Sequence, residues 1–276
     1  MKNLKERLDI LLVERGLFPS REKAKASIMA GIITVDGQIS DKAGTMIDVD
    51  SEIAVKEKLC PYVSRGGLKL EKSMKIWGIN LKDCVCMDIG ASTGGFTDCM
   101  LRGGASKVYA VDVGYGQLDY KLRQDPRVIN MEKCNIRYID GKSIVPLDFI
   151  SIDVSFISLR LVFPVAAELL KESGKLVCLI KPQFEAGREQ VGKKGIVRDK
   201  KAHIQVIENV VKYTIENGLV PSGLTYSPVK GAKGNIEYLL YIDGKTSKED
   251  FDETVAKAFA DLQIEATVND SHRELA

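Results

Sequence analysis

Hydrophobic and polar positions change rhythm along this chain of 276 residues. From residue 4 to about 58 the apolar spacing is first helical and then alternating. Leu8, Leu11 and Leu12 recur at helical spacing, Gly16 ends that helix, and Ser20 opens a second helix from Arg21 that closes at Gly31. Ile32 to Gly37 reads as a strand and turn, and Ile47 to Val55 alternates as a further strand. From residue 82 onward strand and helix alternate. Apolar runs at 84–89, 108–113, 127–131, 147–154 and 175–180 are separated by helical stretches such as 161–171, which predicts a mainly parallel sheet. The end differs, because Val220–Ser227 and Asn235–Ile242 are joined by a Gly/Lys loop with no helix between them and so predict an antiparallel pair at the sheet edge. Thr246 to Glu249 reads as a capping box for a last helix with Phe251, Val255, Phe259 and Leu262 on one face, and the tail after about Ala266 is expected to fray.

These rhythms divide the chain into a small α+β domain at 1–59, a joint with a first helix at 60–81, and an α/β domain at 82–276. Pro61 and the Gly66-Gly67 pair punctuate the joint, after which Leu68, Leu70, Met74 and Trp77 sketch a short helix. Ser64, Arg65 and Lys69 put polar and cationic groups just ahead of the first strand of the larger domain.

Composition narrows the class. With 45% hydrophobic and 28% charged residues the chain can bury a full core. No apolar run approaches the roughly 20 residues that span a bilayer, and the first residues lack a secretory apolar segment, so a cytoplasmic protein without a membrane partner is expected. Cys60, Cys84, Cys86, Cys99, Cys134 and Cys178 show no C-x-x-C spacing, several lie in apolar runs, and only His203 and His272 accompany them, so they read as reduced core residues and no metal centre is expected. The net charge of +2 says little, but its distribution says more. The first 25 residues carry seven Lys or Arg against four acids, whereas residues 36 to 57 carry six acids against two lysines. Arg7, Arg15, Arg21, Lys23 and Lys25 could therefore track a phosphate backbone, although charge alone favours a solvated helix surface.

The densest chemical signal is Asp88-Ile-Gly-Ala-Ser-Thr-Gly-Gly-Phe96. An apolar run ends at Asp88, glycines stand at 90, 94 and 95, and a helical pattern follows, which is a strand, a tight turn and a helix whose unpaired N–H groups face a ligand. The spacing G-x-x-x-G-G departs from the dinucleotide fingerprint G-x-G-x-x-G, so NAD is disfavoured. Asp112 closes the next apolar run 22 residues beyond Gly90, where a ribose-binding carboxylate belongs. Adenosine without pyrophosphate fits best, which points to S-adenosylmethionine, with Asp88, Gly90, Ala91, Ser92, Thr93, Gly94, Gly95 and Phe96 around its amino acid end and Asp112 on its ribose. Asn135, after the third strand, is a candidate for the adenine, with an ordinary turn role as the alternative. Five parallel strands closed by an antiparallel pair, seven in all, is the Rossmann-like α/β architecture of a class I methyltransferase.

Ligands of such sheets lie beyond the carboxyl ends of the strands. Asp153 and Lys181 end two strands and Glu237 lies in the last one, and a lysine ending a buried strand is costly unless paired. Gly187 to Lys201 is glycine-rich and basic, so Arg188, Lys193 and Lys194 are candidates for clamping RNA phosphates.

Two resemblances add to this. Arg7-Leu-Asp, Leu12-Val-Glu-Arg-Gly, Ser20-Arg-Glu-Lys-Ala and Val35-Asp-Gly look like the small RNA-binding domain named after ribosomal protein S-four. Tyr62-Val-Ser-Arg-Gly-Gly-Leu-Lys-Leu, the Asp88 turn, Asp153-Val-Ser-Phe and Lys181-Pro-Gln-Phe-Glu resemble the TlyA family of ribosomal RNA methyltransferases, also called hemolysins, whose catalytic domain is similar to that of FtsJ-type ribose 2′-O-methyltransferases. The resemblance implies a catalytic tetrad at Lys69, Asp153, Lys181 and Glu237, cytidine riboses of small- or large-subunit ribosomal RNA as substrate, and ribosomal subunits as partners, with Ser64 and Arg65 of the joint also facing RNA. Lys181 would act on the hydroxyl proton, as a neutral base or as a charged stabiliser, while Asp153 orients it and Lys69 and Glu237 position the hydroxyl. A docking module without catalysis would be expected to carry a degraded tetrad, and a cytolysin a membrane-active helix; neither feature stands in the sequence.

Overall fold

The apolar runs after residue 82 lie side by side in one sheet, as their separation by helical stretches predicts. The computed structural model describes residues 4–29, 32–40, 42–55, 60–245 and 262–275. The chain forms two units, Met1–Leu59 and Cys60–Ala276.

In the first unit the order is β1 (Lys5–Arg7), α1 (Leu8–Glu14), α2 (Arg21–Met29), β2 (Ile33–Val35), β3 (Gln38–Ile39), β4 (Met46–Asp48) and β5 (Ile53–Val55). Leu8, Leu12, Ile28 and Ile33 are fully buried between the helices and the strands. The alternating stretch at 47–55, expected as one strand, is two strands in different sheets, with β4 antiparallel to the unexpected β1 and β5 antiparallel to β2. The break is local chemistry. Asp48 accepts a hydrogen bond from the N–H of Asp50 at 3.0 Å, and Arg15 donates to the carbonyls of Ser51, at 2.9 Å, and Val49, which closes the turn between the strands.

Asp9, in the first turn of α1, has no solvent exposure. It accepts from Arg7 at 2.9 and 3.2 Å and from Arg21 at 2.9 Å, with Lys25 3.9 Å away. The hydrogen bond from Arg7, helped by that from Arg21 and opposed by burial, lowers its pKa to about 2. A folded pKa below the unfolded value of about 3.9 gives a stabilisation present above pH 4 and lost as pH falls towards 2. In Asp9→Asn, hydrogen exchange of α1 and α2 amides should be faster than in wild type at pH 7, and the difference should close as pH falls from 4 to 2.

The second unit begins with α3 (Gly66–Ile76), followed by β6 (Val85–Ile89), α4 (Gly95–Arg102), β7 (Lys107–Val111), α5 (Tyr120–Gln124), β8 (Val128–Met131), β9 (Leu147–Ile152), α6 (Phe163–Leu169), β10 (Leu170–Ile180), α7 (Pro182–Glu185), α8 (Lys200–Glu216), β11 (Leu219–Tyr226), β12 (Tyr238–Lys245) and α9 (Ile264–Glu274). The sheet has seven strands in the order β11-β12-β10-β9-β6-β7-β8. Neighbours from β10 to β8 are parallel, and β12 inserts between β10 and β11, antiparallel to both. Successive residues alternate between two cores. Leu176, Cys178 and Ile180 face α6, α8 and α9, whereas Val177 and Leu179 face α3, α4 and α5.

Several boundaries differ from the sequence expectation. The Gly66-Gly67 pair opens α3 instead of breaking the chain, because Gly67 lies so close to the Tyr62 ring that a Cβ there would stand 2.3 Å from it. The helix expected to Lys171 stops at Leu169, and β10 takes over from Leu170 with an irregularity before Lys175. Asn235 to Glu237 precede β12 instead of belonging to it. The tail expected to fray is helical as α9, since Ile264 and Val268 are buried in the core shared with α8. The capping box at 246–249 and Phe251, Val255 and Phe259 lie outside the described residues.

Candidate active site

The glycine turn is shaped by contact with the neighbouring strand. β6 and β9 run in register up to Ile89 and Ile152, and the N–H of Asp153 donates to the carbonyl of Ile89 at 2.9 Å. Gly90 has a φ of 87°, and a Cβ there would stand 2.4 Å from the Asp153 carbonyl oxygen, so the position admits only glycine. Gly94 works from behind, packed on Leu118 and Leu122, and does not line the cleft.

Two adjoining hollows of about 340 and 450 Å³ meet at Gly90, Ser92, Asp153 and Ser155. The first is walled by Ala91, Thr93, Gly95 and Phe96 of the turn, and by Lys69 and Lys181. The second holds Asp112 and Asn135 between apolar walls that include Val111 and Ile136. Asp112 accepts from the N–H of Ser92 and the N–H of Gly114, each at 2.7 Å and one per oxygen. Asn135 caps the short turn at 136–138, accepting from the N–H of Arg137 at 3.2 Å.

Asp88 is fully buried behind the turn. One of its oxygens accepts from the N–H of Thr97 at 2.9 Å and the hydroxyl of Thr97 at 2.7 Å, and the other from Ser151 at 3.0 Å. Burial pushes its pKa up to about 6, with the bonds from Thr97 and Ser151 acting against that rise. Asp88 thereby ties the start of α4 to the middle of the sheet and holds the turn against it.

Four ionic side chains meet at the other side of the turn. Lys69 Nζ lies 2.7 Å from Glu237 Oε2 and 3.8 Å from Asp153 Oδ2, and Lys181 Nζ lies 2.5 Å from Asp153 Oδ1. Asp153 Oδ1 receives no hydrogen bond from the described residues, so its contact with Lys181 is close but off the hydrogen-bonding angle. Lys181 also donates to Ser155 Oγ at 3.1 Å. Glu237 is 3% and both lysines 11% exposed along their side chains. The register explains the meeting. Ile180 pairs with Tyr238, so the residue after β10 and the residue before the antiparallel β12 are neighbours at one end of these two strands. Lys69 reaches them from α3, which is held across β11 and β12 by Trp77 stacked on Tyr241, with centroids 5.1 Å apart, and by Lys72 donating to the carbonyl of Tyr226 at 2.7 Å.

Residues 62–243 match the model of FtsJ-like methyltransferases, and residues 6–53 match the S4 domain. The chain belongs to the FtsJ-like methyltransferase family. YqxC of Bacillus subtilis, named as a candidate rRNA methyltransferase, is 54% identical over 88% of this chain and 87% of its own length. The Mycobacterium tuberculosis protein named 16S/23S rRNA (cytidine-2'-O)-methyltransferase TlyA is 38% identical over 88% of this chain and 91% of its own. A structure from Streptococcus thermophilus, described as a candidate hemolysin, superposes with a TM-score of 0.71 at 46% identity, covering 94% of this chain and 97% of that one.

The methyltransferase distributes its sequence-predicted RNA contacts unevenly. Arg7 and Arg21 hold Asp9 yet keep 42% and 47% of their side chains exposed, whereas Arg15 is committed to the carbonyls of Val49 and Ser51. Lys23 is exposed on α2 and Lys25 half-buried. Ser64 and Arg65 line the first hollow beside the turn. Arg188 is exposed on the short 188–190 turn, and Lys193 and Lys194 line a separate hollow together with Arg198. Sequence reasoning missed Ser155, Lys72 and Gly231. A Cβ on Gly231 would stand 1.9 Å from Glu237 Oε1, so the loop passes directly over the carboxylate. Ser155 was within reach of the same strand-end argument that singled out Asp153.

The buried Asp88 carries its own test. Its folded pKa lies above the unfolded value, so the stability it contributes is present below pH 4 and lost as pH rises through 6. Thr97→Val keeps the N–H bond and removes the hydroxyl donor to the carboxylate. We expect a loss of about 1–3 kcal/mol in urea unfolding at pH 7.5 and a smaller loss at pH 4.5, where the carboxyl is increasingly neutral.

Proposed function

We propose that this methyltransferase transfers a methyl group from S-adenosylmethionine to a ribose 2′-hydroxyl of ribosomal RNA, at a cytidine. The observation that carries the reading is the convergence of Lys69, Asp153 and Lys181 on one cleft beside a glycine turn, with the buried Glu237 paired to Lys69. The TlyA relative, named for this reaction on both ribosomal RNAs, and the S4 domain support the substrate class. No helix among the described residues is long and apolar enough to cross a membrane, in keeping with a protein that meets ribosomal subunits in the cytoplasm.

The second hollow fits the cofactor. Asp112 uses one position on each oxygen for a backbone N–H, which leaves acceptor capacity for ribose hydroxyls, and Val111 and Ile136 offer apolar walls to a flat ring. Gly90 lets the backbone approach the amino acid end without a Cβ in the way. S-adenosylmethionine supplies the electrophilic methyl when bound.

The chain's own residues do the rest. A ribose hydroxyl is a weak nucleophile at neutral pH and must be aligned while its proton is taken up or its developing charge stabilised. Lys181 stands at the cleft with its amine toward Asp153 and Ser155, and assists departure of the proton. Asp153 orients Lys181. Lys69, held by the buried Glu237, lines the same hollow and holds the hydroxyl in line.

The test is transfer of labelled methyl to unmodified small and large ribosomal subunits, each separately. Wild type should place alkali-resistant label at a cytidine of at least one subunit, and Lys181→Ala should lower kcat by about 10²-fold or more, the range of a lost acid–base group. Absence of label in both subunits with cofactor bound would refute the ribosomal assignment.

A further inference from the structure

Resting on that reading, we propose that two separate glycine-rich loops, 187–199 and 228–235, act as one clamp for the RNA backbone leading into the cleft, with Asn235 as the residue that joins them.

The joint is a single buried side chain. Asn235 is 3% exposed, donates from Nδ2 to the carbonyl of Gly195 at 2.9 Å, and accepts at Oδ1 from the N–H of Val197 at 3.4 Å. Its own carbonyl accepts from the N–H of Gly231 at 2.9 Å. Asn235 thus folds its own loop and grips the backbone of the other, using the donor and the acceptor of its amide together. Two residues further on stands Glu237, covered by Gly231. The clamp and the ionic site therefore share one short segment.

Cations outnumber the carboxylates on these loops, where Arg188, Lys193, Lys194, Arg198, Lys230 and Lys233 stand against Glu189 and Asp199. Lys193, Lys194 and Arg198 line a hollow of about 380 Å³ together with Asp199, whose carboxylate caps α8 by accepting from the N–H of Lys201 at 3.1 Å. Lys233, held at a left-handed φ of 58°, has its ammonium 3.7 Å from where a Cβ on Gly195 would stand, so it lies against the first loop. Lys230 lines the cleft itself. Among the described residues none of Lys193, Lys194, Arg198, Lys230 and Lys233 lies within ion-pair distance of a carboxylate, in contrast to Arg7, Arg21, Lys69 and Lys181. Cations without carboxylate partners on two joined loops, one of them lining the cleft, suit a ligand with repeated negative charges, and a single nucleic acid backbone is such a ligand. Glycines around them keep the loop backbones low, so phosphates can approach.

The experiment is filter binding of the full chain to unmodified small- and large-subunit ribosomal RNA across a salt series, alongside methyl transfer. Lys230→Gln/Lys233→Gln should reduce the slope of log K against log salt by about 0.7–0.9 per lost contact and raise the KM for RNA. Lys82→Gln/Lys107→Gln, at the opposite ends of β6 and β7, should leave both as in wild type. If Asn235 joins the loops, the effect of Lys193→Gln/Lys194→Gln should shrink in an Asn235→Ala background, a non-additivity that independent loops would not give. Unchanged slope and KM in the lysine variants, with wild type binding RNA, would overturn the clamp. Binding with the expected slopes but no methyl transfer would keep the clamp and remove the catalytic reading instead.

Discussion

Everything at the candidate site depends on the two-residue period of the strands. In β10 and β12 the residues facing α3 and α4 are odd-numbered, as Val177, Leu179, Leu239 and Tyr241 show. Carried one residue past the strand ends, the same alternation directs Lys181 and Glu237 to that face, and Phe149 in β9 does the same for Asp153. Lys69 arrives from α3, the helix packed on this face. A shift of one residue in any of these strands would point its ionic group into the opposite core among α6, α8 and α9, where it would lack a partner. Apolar packing on both faces therefore enforces the register that assembles the ionic site.

Burial then makes the site demanding. Lys69 and Glu237 are each nearly enclosed, and such a pair is tolerable only because the two groups lie 2.7 Å apart. Asp153 sits between both lysines, so two cations and two carboxylates are balanced within one small volume. Asp88, on the other side of the turn, solves the same problem differently, with three hydroxyl and amide donors in place of a cation. Asp9 in the first unit uses arginines. Three carboxylates in three settings show why residue type alone does not identify function: Asp9 braces local structure, Asp88 braces the turn while bordering the first hollow, and the partly exposed Asp153 borders both hollows.

Much of the fold was legible because long, strongly apolar runs leave few options. The strands of the α/β unit, their parallel pairing and the antiparallel edge all followed from periodicity and connection length, and so did the glycine turn after Asp88. The errors fell where short segments or distant contacts decide. The stretch at 47–55 alternates like one strand, yet Arg15, 34 and 36 residues from the carbonyls it grips, closes a turn inside it. The fraying expected after Ala266 overlooked that Val268 finds a buried place against α8, which no local pattern announces.

The sequence by itself determined the classes: a small α+β unit with a basic helical start, an α/β sheet, a glycine-rich strand–helix turn, and ionic residues at strand ends. It did so because those signals are local, lying within one turn or one strand. Only the tertiary structure decided which charges are free and which are spent. Lys193, Lys230 and Arg15 look alike in the chain, but Arg15 is bound to backbone carbonyls while the two lysines stand without carboxylate partners among the described residues. Likewise the contact between Asn235 and the loop at 195–197 spans about 40 positions and comes from the insertion of β12 between β10 and β11. Partners so distant in sequence are chosen by packing and register, which no local spacing encodes.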